Sequence, residues 1–209
     1  NTLIDIKGNV QEQLDSKGTS NVSEISDLKD GVVDLDNNAI YLGSTPTEEN
    51  TGKNNSAFGT RTLSKNTIGS DNQALGYGAL NSNSSGNRNI AIGRDALLSN
   101  KEGDDNTAIS NISLPANTGS ENTSVGSFSM LSNTSGSGNT ASGFSTLENL
   151  VTGSLNTAVG SKAGNLISEG SENTVIGAEA DVRKVGGREA KNQTVIGYAA
   201  KSRGDNTVT

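Results

Sequence analysis

The 209 residues carry a net charge of −7, with only 30% hydrophobic residues, six aromatics, no His and no Cys. An acidic chain lacks the basic face that nucleic acid demands, and no apolar run approaches the ~18 residues of a membrane span. Missing Cys and His close off disulfides, zinc-thiolate sites, thiol nucleophiles and the usual general base, and none of the 209 residues is expected to form a signal peptide. Because the chain opens at Asn1 rather than Met, it is expected to be a piece of something longer.

Residues 1–37 lie outside any repeat. Ile25, Leu28, Val32 and Leu35 are spaced 3, 4, 3, and Asn21 followed by Glu24 fits a helix cap before that seam. Either a flexible leader with two amphipathic turns or a short helical neck that sets chain number fits these residues; Gly8, Gly18 and Gly31 interrupt any long helix. Residues 38–54 hold Ala39-Ile40-Tyr41-Leu42-Gly43, a degenerate first copy of the repeat, and then a loop.

From 55 to 209 the chain repeats about every 17 residues. Asn55, Asn72, Asn89, Asn106, Asn122, Asn139, Asn156 and Asn173 each open a block that reads Asn-Thr-Ala-Val/Ile-Gly in its cleaner copies. A second glycine series runs Gly69, Gly86, Gly103, Gly119, Gly136, Gly153, Gly170 and Gly187. A fixed period with turn glycines in register means one unit stacked on copies of itself. The expected fold is all-β, a parallel β-solenoid whose coils sit ~4.8 Å apart. The Asn column is expected to form an amide ladder that satisfies the turns.

Column by column, the third position is small (Ala57, Ala74, Ala91, Ala108) and the fourth bulky (Phe58, Leu75, Ile92, Ile109). Neighbours in a strand face opposite sides. The bulky residues are expected inside the coil and the small ones at a subunit interface; the competing reading is that Ala simply suits a narrow coil. A second apolar pair, such as Ala79-Leu80 and Ala96-Leu97, predicts a second strand in each coil. The leucines Leu80, Leu97, Leu114 and Leu147 are expected to line a core shared between copies, because so little apolar surface leaves a lone stack short of burial. Local irregularity is expected at Ser110, which replaces a turn glycine, at the short turn Asn117–Gly119, and as a bulge over residues 187–193.

Chemistry is sparse. Asp104-Asp105, Glu48-Glu49 and the Asp34/Asp36 pair are spaced as paired carboxylates could be, but turn carboxylates are usually solvated and no Trp is present to stack on sugars. The acids before the ladder (Asp71, Asp105, Glu121, Glu172, Asp205) are interrupted by Arg88, Gly138 and Leu155, so no metal or other cofactor is expected, and no enzymatic activity. The basic residues Arg183, Lys184, Arg188, Lys191, Lys201 and Arg203 are the candidate contact for a polyanion or sugar.

The motifs carry two resemblances. Asn156-Thr157-Ala158-Val159-Gly160 and Asn173-Thr174-Val175-Ile176-Gly177 resemble the Ser-Val-Ala-Ile-Gly strand motif of trimeric autotransporter adhesin heads, which implies a left-handed parallel β-roll assembled as a homotrimer. The period differs, since that family's repeat is nearer 14 residues. Asn9-Val10-Gln11-Glu12-Gln13-Leu14-Asp15-Ser16-Lys17 and the Asn-Thr-Ala-x-Gly-x-x-Ala-Leu repeats are similar to segments of bacteriophage tail fibres. That second resemblance implies a non-enzymatic fibre segment on the virion surface that contacts a host-cell receptor, with polysaccharide among the candidates. A bacterial surface adhesin head is the alternative, and a monomeric ice- or polysaccharide-binding solenoid using the Thr column Thr107 to Thr174 is a third.

Overall fold

The structure is a computed structural model that describes residues 31–34, 36–43, 50–182, 189–202 and 208–209. Among the described residues eleven short strands succeed one another in a single sheet. They are β1 (Gly31–Asp34), β2 (Ala39–Leu42), β3 (Ser56–Phe58), β4 (Gln73–Leu75), β5 (Ile90–Ile92), β6 (Thr107–Ile109), β7 (Thr123–Val125), β8 (Thr140–Ser142), β9 (Thr157–Val159), β10 (Thr174–Ile176) and β11 (Thr194–Ile196). Spatial order equals chain order. Every pairing from β2 onward is parallel and in register with the repeat: Ala57 faces Ala74, Ala74 faces Ala91, and so on to Val175 and Val195. The result is a β-solenoid of about nine turns, with no helix among the described residues.

The strand's two sides are the reverse of the sequence expectation. The small third position points inward: Ala57, Ala91, Ala108, Ala141 and Ala158 are fully buried. The bulky fourth position points out, with Phe58 38% and Leu75 52% exposed. The reason is what fills the coil. Leu63, Leu80, Leu97, Leu114, Met130 and Leu147 reach the interior from the opposite wall and are themselves fully buried. Beside those long side chains the inward strand position is Ala or Ser, and beyond Leu147 it widens to the buried Val175 and Val195. The leucines therefore belong to the core of the single chain and do not wait for a partner.

Those core residues come from turns, so each coil has one strand rather than two. Their φ angles of 48 to 51° lie in the left-handed region. That conformation costs an L residue roughly 1–2 kcal/mol, whereas burying a leucine contributes about 1.5–3 kcal/mol; burial prevails.

Glycine is required in the second series. A Cβ on Gly52, Gly69, Gly86, Gly103, Gly119, Gly136 or Gly153 would lie 1.9 to 2.5 Å from the carbonyl oxygen of the glycine one coil on. Here the chain stacks backbone directly on backbone.

At the N-terminal end β1 pairs antiparallel with β2. Val32 therefore stands in an extended strand, not in a helical seam; Ile25, Leu28 and Leu35 lie outside the described residues. Tyr41 takes the inward position that Ala57 holds one coil later, and is buried as a plug across the first coil. Ser110 adopts φ 115°, where the regular coils use glycine at 128 to 138°. The 16-residue step is absorbed gently: Asn117 Nδ2 reaches Asn100 Oδ1 at a stretched 3.4 Å, and Asn122 Nδ2 adds a bond to Asn117 Oδ1 at 3.3 Å. Of the bulge expected over 187–193, residues 187 and 188 lie outside the described residues, and the C-terminal part is not bulged. Ser171 donates its N–H to Ala190 O at 3.1 Å and bridges in parallel to Lys191, so residues 190–193 are back in the stack.

Candidate functional site

Three polar ladders run along the solenoid, two over nearly all of the described coils and one from Asn50 to Asn133. In the first, each Asn side chain serves the coils on both sides. Asn72, Asn89, Asn106, Asn122, Asn139, Asn156 and Asn173 donate the backbone N–H and Nδ2 to Oδ1 of the preceding Asn, at 2.9 to 3.2 Å. Nδ2 also donates to a turn carbonyl, as Asn55 does to Gly69 O at 2.8 Å. All eight, Asn55 included, are buried. No amide is left over to bind a ligand, so the column is structural, as its buried position requires.

The sequence reading missed the second ladder. Asn50, Asn66, Asn83, Asn100, Asn117 and Asn133 link Nδ2 to Oδ1 at 2.8 to 3.4 Å, and from Asn66 on each also donates to a glycine carbonyl in its own turn. Its spacing of 16, 17, 17, 17, 16 was visible in the sequence. The signal fades because Leu150 and Ile167, both buried, continue the column as an apolar core. The third ladder is also new: Ser70, Asn87, Asp104, Ser120, Ser137, Ser154 and Ser171 each accept the backbone N–H of the equivalent residue one coil back, at 2.7 to 3.1 Å. Asp104 is therefore a backbone acceptor, and its neighbour Asp105 is held by Arg88 at 2.6 and 2.8 Å. That guanidinium hydrogen bond keeps the Asp105 carboxyl below the ordinary carboxylate range. Neither acid is arranged for paired general acid–base work. Asp34 accepts from the Asn37 N–H and Nδ2 at 3.1 and 2.8 Å and so closes the turn between β1 and β2. Glu48 and Glu49 lie outside the described residues.

The column before the first ladder has a backbone reason. Asn54, Asp71, Arg88, Asp105, Glu121, Gly138, Leu155 and Glu172 all have φ between 55 and 66°. Acids, a base, a glycine and a leucine share one left-handed conformation, so the acids are not a ligand row; Asp205 lies outside the described residues. No group of three or more His, Cys, Asp or Glu that could hold a metal ion occurs among the described residues.

Of the six basic candidates, Arg183, Lys184, Arg188 and Arg203 lie outside the described residues. Lys191 Nζ sits 3.6 Å from Glu172 Oε1. Lys201 Nζ sits 3.9 Å from Asp181 Oδ2 and donates to Glu179 O at 3.1 Å. Asp181 is buried: Leu166 and Val182 donate their N–H groups to its carboxylate, and desolvation nonetheless raises its pKa. The two described lysines are thus tied to local acids.

What the solenoid does leave open is its outward sheet face. The fourth-position column runs through Phe58, Leu75, Ile92, Val125, Val159, Ile176 and Ile196, all exposed, with the aligned Leu42 half-buried at its start. It is interrupted by Ser142, and Ile109 is half-buried. The Thr column of β6 to β11 stands beside it on the same face. At the downstream ends of the strands, Arg61 Nη1 donates to Tyr77 Oη at 3.1 Å, and the Arg61 and Arg94 guanidinium carbons lie 5.7 and 6.0 Å from the Tyr77 ring centre. Phe128 and Phe144 meet edge to face at 6.0 Å. Sequence reading singled out neither cluster.

Taken together, the ladders and the open face describe a polar-laddered parallel β-solenoid with one apolar outward side. Comparison with family models, curated proteins and solved structures gives no match. No helix among the described residues is long and apolar enough to cross a membrane.

Proposed function

We propose that the chain is a structural, receptor-contacting segment of a homotrimeric fibre on a virion, without enzymatic activity. The observation that carries this reading is the exposed fourth-position column. Coils ~4.8 Å apart line those side chains up as an apolar ridge broken at Ser142, and monomeric proteins rarely leave such a patch uncovered. Three copies packed ridge to ridge around an axis parallel to the stack would remove it from water. The roll would be left-handed, as the resemblance to adhesin heads implies, and a neck upstream of residue 31 would set the three chains in register. A trimer also presents three copies of each weak surface contact and so gains avidity for a receptor, such as a host-cell polysaccharide.

The fibre reading is preferred over a bacterial adhesin head because of the Asn9–Lys17 segment and its likeness to tail fibres. A monomeric ice- or polysaccharide-binding solenoid is disfavoured, since its binding face would be mostly aliphatic. Immunogold labelling with an antibody against residues 55–182 separates the readings. Label on tail fibres of purified virions is expected; label confined to bacterial cell surfaces would transfer the chain to the adhesins.

A further inference from the structure

We infer that Arg61, Tyr77 and Arg94 form a binding site for an acidic sugar on the downstream flank of the sheet. The site rests on the proposed receptor role, to which it gives a ligand class and a place, although its chemistry belongs to the single chain. Arg61 is the second residue after Gly59, which follows β3; Tyr77 and Arg94 are the first residues after Gly76 and Gly93, which follow β4 and β5. Three successive coils thus converge on one ring. Arg61 Nη1 donates to Tyr77 Oη at 3.1 Å, and the two guanidinium carbons lie 5.7 and 6.0 Å from the ring centre. All three side chains are exposed.

The solenoid itself does not call for these side chains. The backbone bonds of this flank, Gly78 N–H to Thr60 O at 3.0 Å and Asp95 N–H to Tyr77 O at 2.8 Å, recur as Ser145 to Ser127 at 2.9 Å and Lys162 to Phe144 at 2.8 Å, where the same columns hold other residues. Arg61, Asp95, Phe128, Ser145, Lys162 and Glu179 share one left-handed conformation, φ 50 to 60°, so the backbone does not select Arg. Arg61 makes no ion pair among the described residues. Arg94 commits only Nε, to Asp95 Oδ2 at 3.2 Å. Asp95 lies over Gly78, where an added Cβ would come within 2.5 Å of its Oδ1. Two guanidinium groups therefore stand against one carboxylate, a positive spot on a chain of net charge −7. A guanidinium pairs an oxyanion through two parallel N–H donors, and the Tyr77 ring adds apolar area with a polar tip beside it. One such spot suits a sugar that carries a single carboxylate or sulfate. A polyphosphate backbone binds by neutralising many charges at once, which an acidic chain opposes.

Affinity electrophoresis of the 209-residue chain tests the site, with polygalacturonate, dextran sulfate, unmodified dextran or oligothymidylate cast into native gels. Retardation by polygalacturonate or dextran sulfate, but not by dextran or oligothymidylate, is the expected result, and the polymer that retards distinguishes a carboxylate from a sulfate source. Arg61→Ala should raise the dissociation constant by roughly tenfold or more, the loss expected for hydrogen bonds to a charged group. Arg61→Lys, which keeps the charge but not the paired donors, should also bind more weakly than wild type. Lys162→Ala removes the same charge from the same column and should change nothing. Circular dichroism of the three variants should match wild type, since both side chains are exposed. Equal binding by wild type and Arg61→Ala, an equal loss in Lys162→Ala, retardation by oligothymidylate as strong as by the acidic polysaccharides, or no retardation by either of them would overturn the site. The virion labelling tests the fibre reading separately. Labelled fibres whose chain ignores both acidic polymers would remove this site alone, whereas acidic-polymer binding by a chain labelled only on bacterial cells would keep the site and overturn the fibre.

Discussion

Asn106 donates both its backbone N–H and its side-chain amide to one oxygen, Oδ1 of Asn89, at 3.0 and 3.1 Å. The same bifurcated contact recurs at every rung, so each Asn is fixed by the coil before it and fixes the coil after it.

Truncating a rung should therefore be costly. Asn106→Ala leaves the Asn122 N–H without its acceptor, and removes one of two donors to Gly119 O. Each buried orphan costs about 1–3 kcal/mol, so a loss of roughly 2–4 kcal/mol is expected from urea denaturation, against less than about 0.5 kcal/mol for the partly exposed Thr107→Ala. Equal effects would remove the ladder's structural role.

Ser110 and Gly136 should respond in opposite directions to their exchange with glycine and alanine. Ser110→Gly relieves a φ of 115° and should stabilise by about 1 kcal/mol. Gly136→Ala places a Cβ 2.2 Å from Gly153 O and should destabilise by more than about 3 kcal/mol or break the stack locally. Thermal melts of the two variants check both signs.

Leu97 lies inside its own chain, so its removal should unfold rather than merely dissociate. Leu97→Ala is expected to cost about 2–5 kcal/mol, read as a loss of strand circular dichroism at lower denaturant, at any protein concentration. A concentration-dependent effect would instead put Leu97 at a shared interface.

Asp181 sets a pH dependence with a sign opposite to the usual acid. Burial raises its pKa, so the folded chain holds the proton more tightly than the unfolded one. Stability from this group is greatest below the ordinary carboxylate value of 3.8 and declines as pH rises through the raised folded value. Asp181→Asn keeps an oxygen acceptor and should flatten that decline without lowering the melting temperature at neutral pH. Identical slopes in the two proteins would assign the pH dependence elsewhere.

The period, the Asn column and the turn glycines were legible because stacking makes chemistry repeat where geometry repeats. Ala57 and Phe58 show where legibility ends. Alternation says they face opposite ways, but which side is inside depends on Leu63 and Leu80 arriving from another wall, and only the closed coil reveals that. Asn66 to Asn133 carried the same signal as the first ladder and were obscured by Leu150 and Ile167. Contacts of the Arg61–Tyr77–Arg94 kind leave no periodic trace, since each column position there is filled differently from coil to coil. Of the basic candidates only Lys191 and Lys201 can be placed, and local acids engage both.

Sedimentation equilibrium on the chain and on Leu75→Asp/Ile92→Asp decides whether other copies cover the apolar ridge. The wild-type chain should sediment at three times its 21.3 kDa mass. The double variant should fall to one chain with its circular dichroism unchanged, because both side chains point outward. A wild-type mass of one chain at micromolar concentration, with the ridge exposed and the fold intact, would contradict the trimer.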